Sequence, residues 1–258
     1  CLQGLFELAS IPYVGAPVFA SAVGMDKILM KMVFRAAGLP LTDYAPLERG
    51  DWERDHAGTL TRMEIEIGYP CFVKPANLGS SVGISKVRNR AELADALNLA
   101  AEFSSRILVE RGLEVRELEC AILGNQEPMA SVVGEVLPSR EFYDYEAKYH
   151  DPTTTFVIPA DIDEGVNVEI RGLAVKAFKA IGAAGMARVD FFLGRGDGRV
   201  YLNEINTIPG FTSMSVYPRL WQATGVPYPD LIDRLIQFGL DRHADEARNR
   251  TEYERPPP

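Results

Sequence analysis

The pattern of apolar and polar residues predicts a chain in which helices alternate with short strands. Apolar residues recur at helical spacing in three segments, 27–37, 91–101 and 166–184. Runs typical of strands lie at 69–75, 82–87, 106–110, 117–122 and 129–136. The other predicted elements are a helix already under way at residue 2, a strand at 11–15, an irregular connection or loose helix at 46–62, and closing helices at 218–224 and 230–240. This mixture indicates the α+β class.

One helix near the amino-terminal end has clear start and stop signals. Asp26 is predicted to be its N-cap, and Gly38 is predicted to follow its last turn. Lys27 then lies in the first turn, where a positive charge opposes the helix dipole. A solvated lysine and a lysine that binds an anion both fit this position.

The most informative stretch is a predicted hairpin in the second half of the chain. Strand-like runs at 187–193 and 199–206 flank the sequence Gly-Arg-Gly-Asp-Gly. Side chains in a strand alternate between its faces. The first strand is therefore predicted to present Arg188, Asp190 and Phe192 on one face. The second is predicted to present Leu202, Glu204 and Asn206 together.

A turn centred on Asp197 places Asp190 opposite Glu204, and Arg188 opposite Asn206. Two facing carboxylates repel each other unless a cation lies between them. Carboxylate and amide oxygens suit Mg²⁺ better than zinc, and an arginine beside such a site can bind developing phosphoryl or oxyanion charge. The alternative is a solvated face with chance charges, although the intervening apolar residues favour a buried sheet.

A loop rich in glycine and serine, residues 76–83, follows the strand that ends near Lys74. Small residues let backbone N–H groups approach a phosphate closely, and Lys74 can reach the same phosphate. An ordinary tight turn is the alternative interpretation. The loop is not a P-loop, because no Gly-Lys-Ser or Gly-Lys-Thr is present.

Composition narrows the functional classes. The 258 residues carry a net charge of −9, which disfavours a nucleic-acid partner. No run of 18 apolar residues is present, so no membrane span is predicted. Cys1, Cys71 and Cys120 have no metal-ligand spacing. The last two are predicted to be buried thiols in a reducing cytoplasm.

The hairpin and the loop after it, Asn203 to Ser213 with Arg188-Val189-Asp190, resemble the D-alanine:D-alanine ligases of the ATP-grasp superfamily. The resemblance implies that Asp190, Glu204 and Asn206 hold two Mg²⁺ ions, or Mn²⁺, on the phosphates of ATP. It also implies that Arg188 and the loop from Gly210 to Ser215 hold the second D-alanine and the tetrahedral intermediate.

The resemblance extends to nucleotide binding. The residues implied to bind ATP are Lys27, Lys74, Glu110, Leu113, Glu117, Phe142, Lys148 and Phe192. Glu110 and Leu113 would contact the adenine edge and Glu117 the ribose, whereas without the family Glu110 is an ordinary surface carboxylate. Gly112 departs from the family pattern, in which a larger residue is common, and this affects the packing of the adenine.

The substrate side of the site is implied in the same way. Ser80 would orient the first D-alanine. Residues 142–149, in a polar and aromatic connection, are similar to the family's mobile ω-loop, in which Lys148 would bind ATP and Tyr149 would lie over the first substrate. A loop packed by its own aromatic residues is the alternative.

The implied architecture is an ATP-grasp fold with two α+β subdomains that hold ATP between them. Residues 1–43 would be the remainder of an amino-terminal domain with a linking helix, 44–137 the central subdomain, 138–240 the carboxy-terminal subdomain and 241–258 a frayed polar tail. The resemblance covers nearly all of this chain, but only the later part of the family pattern. We therefore expect a longer ligase whose amino-terminal domain supplies the acidic partner of the first D-alanine's amino group.

The implied reaction is ATP-dependent joining of two D-alanines through an acyl phosphate, for peptidoglycan synthesis. The resemblance also implies a cytoplasmic homodimer that binds no nucleic acid or membrane. Two other interpretations remain open: a ligase with a different second substrate, and a nucleotide-binding fragment without catalysis.

Tyr149 gives a prediction about the product. In the family, tyrosine here accompanies D-alanine as second substrate, and phenylalanine accompanies D-hydroxy acids. Tyr149→Phe removes the phenolic hydroxyl and is expected to shift the product from D-alanyl-D-alanine toward D-alanyl-D-lactate. Mass spectrometry of products formed from mixed D-alanine and D-lactate measures this shift. Depsipeptide made by the unmutated protein would contradict the prediction.

Overall fold

The computed structural model describes residues 2–137, 155–212 and 214–250. These residues form two antiparallel sheets, each packed against helices through its own apolar core. The first helices are α1 (Leu2–Leu8), α2 (Val18–Met25) and α3 (Lys27–Ala36).

The predicted ends of α3 are confirmed. The Asp26 carboxylate accepts hydrogen bonds from the backbone N–H groups of Ile28 at 3.0 Å and Leu29 at 2.9 Å. Arg106 binds the other carboxylate oxygen and ties the start of the helix to the first sheet. Gly38 follows the last turn with a φ of +66°, a left-handed conformation that favours glycine.

The first sheet contains four strands in the order β1-β4-β2-β3. Its strands are β1 (Tyr44–Glu48), β2 (Cys71–Pro75), β3 (Ser85–Val87) and β4 (Arg106–Arg111). Its helices are α4 (Arg49–Arg54), α5 (His56–Glu66) and α6 (Arg90–Phe103). The predicted return strand at 82–87 is thus shorter than expected, since the loop continues to residue 84.

Of the two interpretations of residues 46–62, the irregular connection is wrong and the helix is confirmed in part, because β1, α4 and α5 occupy this part of the chain. Trp52 supplies the physical reason. Its side chain is buried in the core of the first sheet, and its Nε1 donates to Asn98 Oδ1 at 2.9 Å. Asp55 caps α5 by accepting from the Gly58 N–H at 2.9 Å.

The second sheet contains five strands in the order β7-β6-β5-β8-β9. Its strands are β5 (Val115–Gly124), β6 (Met129–Leu137), β7 (Thr155–Val157), β8 (Gly185–Gly194) and β9 (Val200–Asn206). Helix α7 (Glu164–Ala180) packs on one face, whereas α8 (Val216–Ala223) and α9 (Tyr228–Glu246) pack on the other. Helix α9 continues past residue 240, so the polar tail was predicted to begin too early.

The two sheets divide the chain at a different point from the predicted subdomains. Strands β5 and β6 precede the predicted boundary at 137/138, yet they belong to the second sheet. Strand β5 pairs with β8 along its whole length, from Val115 opposite Gly194 to Gly124 opposite Gly185. By sheet membership, the division falls between β4 and β5.

The strand predicted at 11–15 is wrong, because this segment packs against α9 and joins no sheet. Arg242 donates to the Tyr13 carbonyl at 3.3 Å, and its guanidinium lies 4.2 Å from the centre of the Tyr13 ring. Burial, together with a hydrogen bond to Glu7, raises the pKa of Tyr13 to about 12. The Tyr13 backbone carbonyl thus accepts its hydrogen bond from a side chain of α9 and not from a neighbouring strand.

The predicted burial of the thiols is confirmed for the two cysteines that the structure describes. Cys71 and Cys120 are both buried, and burial raises the pKa of the Cys71 thiol to about 11.

In the described parts of the chain, every helix is too short or too polar to cross a bilayer.

The contact between α9 and the amino-terminal segment gives a stability prediction. A Cβ added at Gly239 would lie 2.7 Å from the Tyr13 carbonyl oxygen. Gly239→Ala is therefore expected to lower the free energy of unfolding by about 1–3 kcal/mol through overpacking. Urea denaturation measures the change. The control is Gly172→Ala in α7, where a Cβ meets nothing within 4 Å. Equal stability of the two variants would contradict the prediction.

Candidate active site

A cleft lies between the loop at 76–84 and the β8–β9 hairpin, and it consists of two adjoining cavities. The first cavity, about 460 Å³, extends toward β4 and the segment that follows it. The second cavity, about 490 Å³, extends toward the end of β9 and the loop before α8. The residues that line both are Lys27, Leu78, Gly79, Ser80, Glu117, Phe192, Asn203 and Glu204.

The predicted pairing in the hairpin is confirmed. Asp190 lies opposite Glu204, and Arg188 lies opposite Asn206. The ladder then shifts, since Phe191 pairs with Leu202 and leaves one extra residue, Asn203, on β9. This is a β-bulge.

The bulge corrects one part of the hairpin prediction. Leu202 was expected to share a face with Glu204, but it is fully buried in the core beneath the sheet. Asn203 and Glu204 instead both line the cleft. The expectation assumed that side chains alternate strictly along the strand, and an extra residue in the strand breaks that alternation.

Arg188 binds the metal-ligand candidate Asp190 through two parallel hydrogen bonds, from Nε and Nη2, both 2.7 Å long. Its Nε also lies 3.3 Å from Glu119 Oε2 on the neighbouring strand β5. Burial alone lowers the pKa of Arg188, but the carboxylates of Asp190 and Glu119 outweigh burial and hold that pKa well above its usual value. The guanidinium is thus a fixed positive charge at the floor of the second cavity.

Glu119 was missed by the sequence analysis. It lies opposite Asp190 in the β5–β8 ladder, so Glu119, Asp190 and Glu204 form a row of carboxylates across three adjacent strands. The sequence does contain a signal that could have identified Glu119: it lies two residues after Glu117, on the same face of a predicted strand.

The donor set fits a magnesium ion that also binds phosphate. In the part of the chain that the structure describes, no group of three His, Cys, Asp or Glu side chains is arranged to hold a metal ion. Mg²⁺ usually takes only one or two carboxylates from a protein and fills its other positions with phosphate oxygens and water. The carboxylates of Asp190 and Glu204, with the amide oxygen of Asn206, meet that requirement in the second cavity.

The glycine- and serine-rich loop is held at its base and strained at its tip. The Lys27 side chain donates to the Leu78 carbonyl and therefore lies against the loop; it is not a freely solvated lysine. Ser80 and Ser81 both have positive φ values, of 54° and 59°. Such conformations are uncommon for residues other than glycine and concentrate at ligand-binding loops.

Glu110 is buried, so its alternative interpretation as a surface carboxylate is wrong. Its two oxygens bind the ammonium groups of Lys31 and Lys74, each at 2.6 Å, and the Thr42 hydroxyl also donates to it. Burial raises the pKa of Glu110, but the two ammonium groups outweigh burial and hold that pKa well below its usual value. Lys31 and Thr42 were missed by the sequence analysis, although Lys31 lies one helical turn after Lys27.

The backbone after β4 fits glycine at position 112. A Cβ there would lie 3.0 Å from the Pro70 carbonyl oxygen, which already accepts a hydrogen bond from the Gly112 N–H at 2.8 Å. A larger residue at this position would require Pro70 to shift. The close approach of the Pro70 backbone to residue 112 explains why this chain has glycine where a larger residue is common in the family.

The structure brings the predicted site residues together. Those that line the first cavity are Lys27, Lys74, Ser80, Glu110, Leu113, Glu117, Phe192 and Glu204. Those that the second cavity adds are Arg188, Asp190, Asn206, Gly210 and Ser215. The other predicted residues, Phe142, Lys148 and Tyr149, lie outside the described residues.

Comparison with known proteins gives a consistent result. Residues 33–237 match the family model described as D-ala D-ala ligase C-terminus. A D-alanine–D-alanine ligase from Acetivibrio thermocellus is 51% identical over 96% of this chain and 66% of its own length. Another, from Heliobacterium modesticaldum, is 50% identical over 97% of this chain and 69% of its own length.

Solved structures agree with these relatives. The D-alanine-D-alanine ligase from Coxiella burnetii has a TM-score of 0.83 and 41% identity, covering 95% of this chain and 65% of the other. The VanG D-Ala:D-Ser ligase from Enterococcus faecalis also has a TM-score of 0.83, with 37% identity, and covers 92% of this chain and 68% of the other. The chain therefore spans about two thirds of the length of the relatives that it matches.

Proposed function

Because the chain belongs to the D-alanine–D-alanine ligase family, we propose that it carries the ATP-dependent joining of two D-alanines to D-alanyl-D-alanine. The predicted α+β ATP-grasp fold is confirmed by its likeness to solved ligases. The observation that carries the proposal is the single cleft in which lysines, facing carboxylates and a fixed arginine meet.

The first cavity has the chemistry to bind a nucleotide. Lys27 and Lys74 supply two ammonium groups that would bind phosphate oxygens. Leu113 provides an apolar contact for the adenine, and the Glu117 carboxylate would accept hydrogen bonds from the ribose. The loop that contains Ser80 would cover the phosphates, because its small residues allow close approach of the backbone.

The second cavity has the chemistry for the ligation. Asp190, Glu204 and Asn206 would hold Mg²⁺, or Mn²⁺, which when bound supplies charge neutralisation and alignment of the phosphates. Ser80 would orient the first D-alanine so that its carboxylate can attack the γ-phosphate, which releases ADP and gives an acyl phosphate. Arg188 would bind the second D-alanine, whose amino group attacks the carbonyl carbon of the acyl phosphate and displaces phosphate. It would also bind the negative charge that develops on that carbonyl oxygen.

The loop before α8 would complete the substrate side. The Ser215 Oγ accepts a hydrogen bond from the Thr212 N–H at 3.0 Å, which fixes the hydroxyl at the edge of the second cavity. A Cβ at Gly210 would lie 3.1 Å from the same oxygen, so only a small residue leaves this approach open. The proposed product is a peptidoglycan precursor, made by a cytoplasmic homodimer.

The test uses the protein that contains this chain, incubated with Mg²⁺, ATP and D-alanine. ADP release and mass spectrometry of the product measure the reaction. We expect D-alanyl-D-alanine as the main product even when D-serine or D-lactate competes at equal concentration. ATP hydrolysis without dipeptide, or a main product with another second substrate, would contradict the proposal.

A variant pair tests the metal site separately. Glu204→Gln keeps the shape of the side chain but removes its charge, and is expected to lower ATP turnover at saturating Mg²⁺ at least about tenfold. Titration with Mn²⁺, followed by electron paramagnetic resonance, should show weaker metal binding. The control is Glu169→Gln, an exposed position on α7. Retention of normal turnover by Glu204→Gln would exclude it as a metal ligand.

A further inference from the structure

A buried lysine lies behind the first cavity and does not line it. The side chain of Lys31, on α3, is only 1% exposed. It follows Lys27 by one helical turn, so α3 carries one lysine at the cleft and a second lysine in the interior. An isolated buried ammonium is strongly unfavourable. Its partners must therefore account for its presence.

Those partners connect Lys31 to the cleft. Glu110 Oε1 accepts from Lys31 at 2.6 Å, and Oε2 accepts from Lys74 at 2.6 Å. Lys74 lines the first cavity, whereas Lys31 is buried, binds the other carboxylate oxygen and does not line the cavity. One carboxylate thus lies between two ammonium groups, and the cluster of Lys31, Glu110 and Lys74 carries one net positive charge.

We propose that Lys31 is a positioning residue for nucleotide binding. It neutralises Glu110 from the buried side, so that the charge of Lys74 remains available to the phosphates in the first cavity. Without Lys31, Glu110 and Lys74 would form a neutral pair, and the carboxylate would also repel phosphate. The inference rests on the proposed use of ATP.

The surroundings of the cluster support this role. Glu110 is anionic, since the two ammonium groups hold its pKa well below the usual value although burial raises it. The pKa of Lys31 lies below its usual value, because burial lowers it more than the Glu110 carboxylate raises it. The Lys31 Nζ also lies 5.6 Å from the centre of the Tyr44 ring, a second contact that favours the cation.

The test compares ATP with adenosine, which lacks the phosphates. Calorimetry measures both affinities for the protein that contains this chain and for Lys31→Met. We expect the affinity for ATP to fall by about tenfold or more while that for adenosine changes by less than about twofold. The matched control is Lys179→Met at an exposed position on α7, which should change neither affinity.

A double variant separates charge from packing. Lys31→Met with Glu110→Gln removes the carboxylate as well and leaves Lys74 without a buried counter-ion. Its ratio of ATP to adenosine affinity should return to within about threefold of the unmutated value. Lys31→Gln, which removes the charge but retains a donor for Glu110, provides the same measurement if Lys31→Met does not fold.

The outcomes are distinguishable. An equal loss for ATP and adenosine would mean that Lys31 only supports the fold, and it would overturn the inference. Unchanged ATP binding in Lys31→Met and Lys31→Gln would overturn it as well. If the unmutated protein binds adenosine no more weakly than ATP, the phosphates contribute nothing, and the proposed function fails together with the inference.

Discussion

The facing carboxylates of Asp190 and Glu204 are the constraint on which the cleft depends. Adjacent strands bring them together, and like charges at that separation destabilise a sheet unless a positive group neutralises them. Arg188 supplies that group through its paired hydrogen bonds to Asp190. The second sheet therefore contains a site in which carboxylates are concentrated around one bound arginine. Such a site favours cations and their anionic partners.

The two cavities arrange their charged side chains in different ways. In the second cavity, a row of carboxylates lies beside one arginine and lines the cleft. At the first cavity the order is reversed, because two lysines enclose one buried carboxylate. Lysines thus predominate in the buried cluster at one half of the cleft, and carboxylates predominate in the row at the other. A substrate that carries phosphates and a metal ion complements both halves.

Local patterns allowed much of this site to be predicted. The hairpin and the cap at Asp26 depend on neighbours in sequence, so alternation and capping signals were sufficient. Contacts between distant segments were not predictable in the same way. Lys31 and Glu110 are 79 positions apart, and the β5–β8 ladder joins segments on either side of α7. Trp52 likewise lies in a segment predicted to be an irregular connection or a loose helix, because only the folded core shows what covers it.

The bulge at Asn203 has a consequence for how this hairpin tolerates change in length. Asn203 has no partner in the ladder, whereas Leu202 and Glu204 on either side pair with consecutive residues of β8. A chain that lost Asn203 would therefore close into a regular ladder with Leu202 still in the core and Glu204 still in the cleft. A homologue shorter by one residue at this point could keep the same carboxylate geometry. Alignments in this region should accordingly place gaps at the bulge.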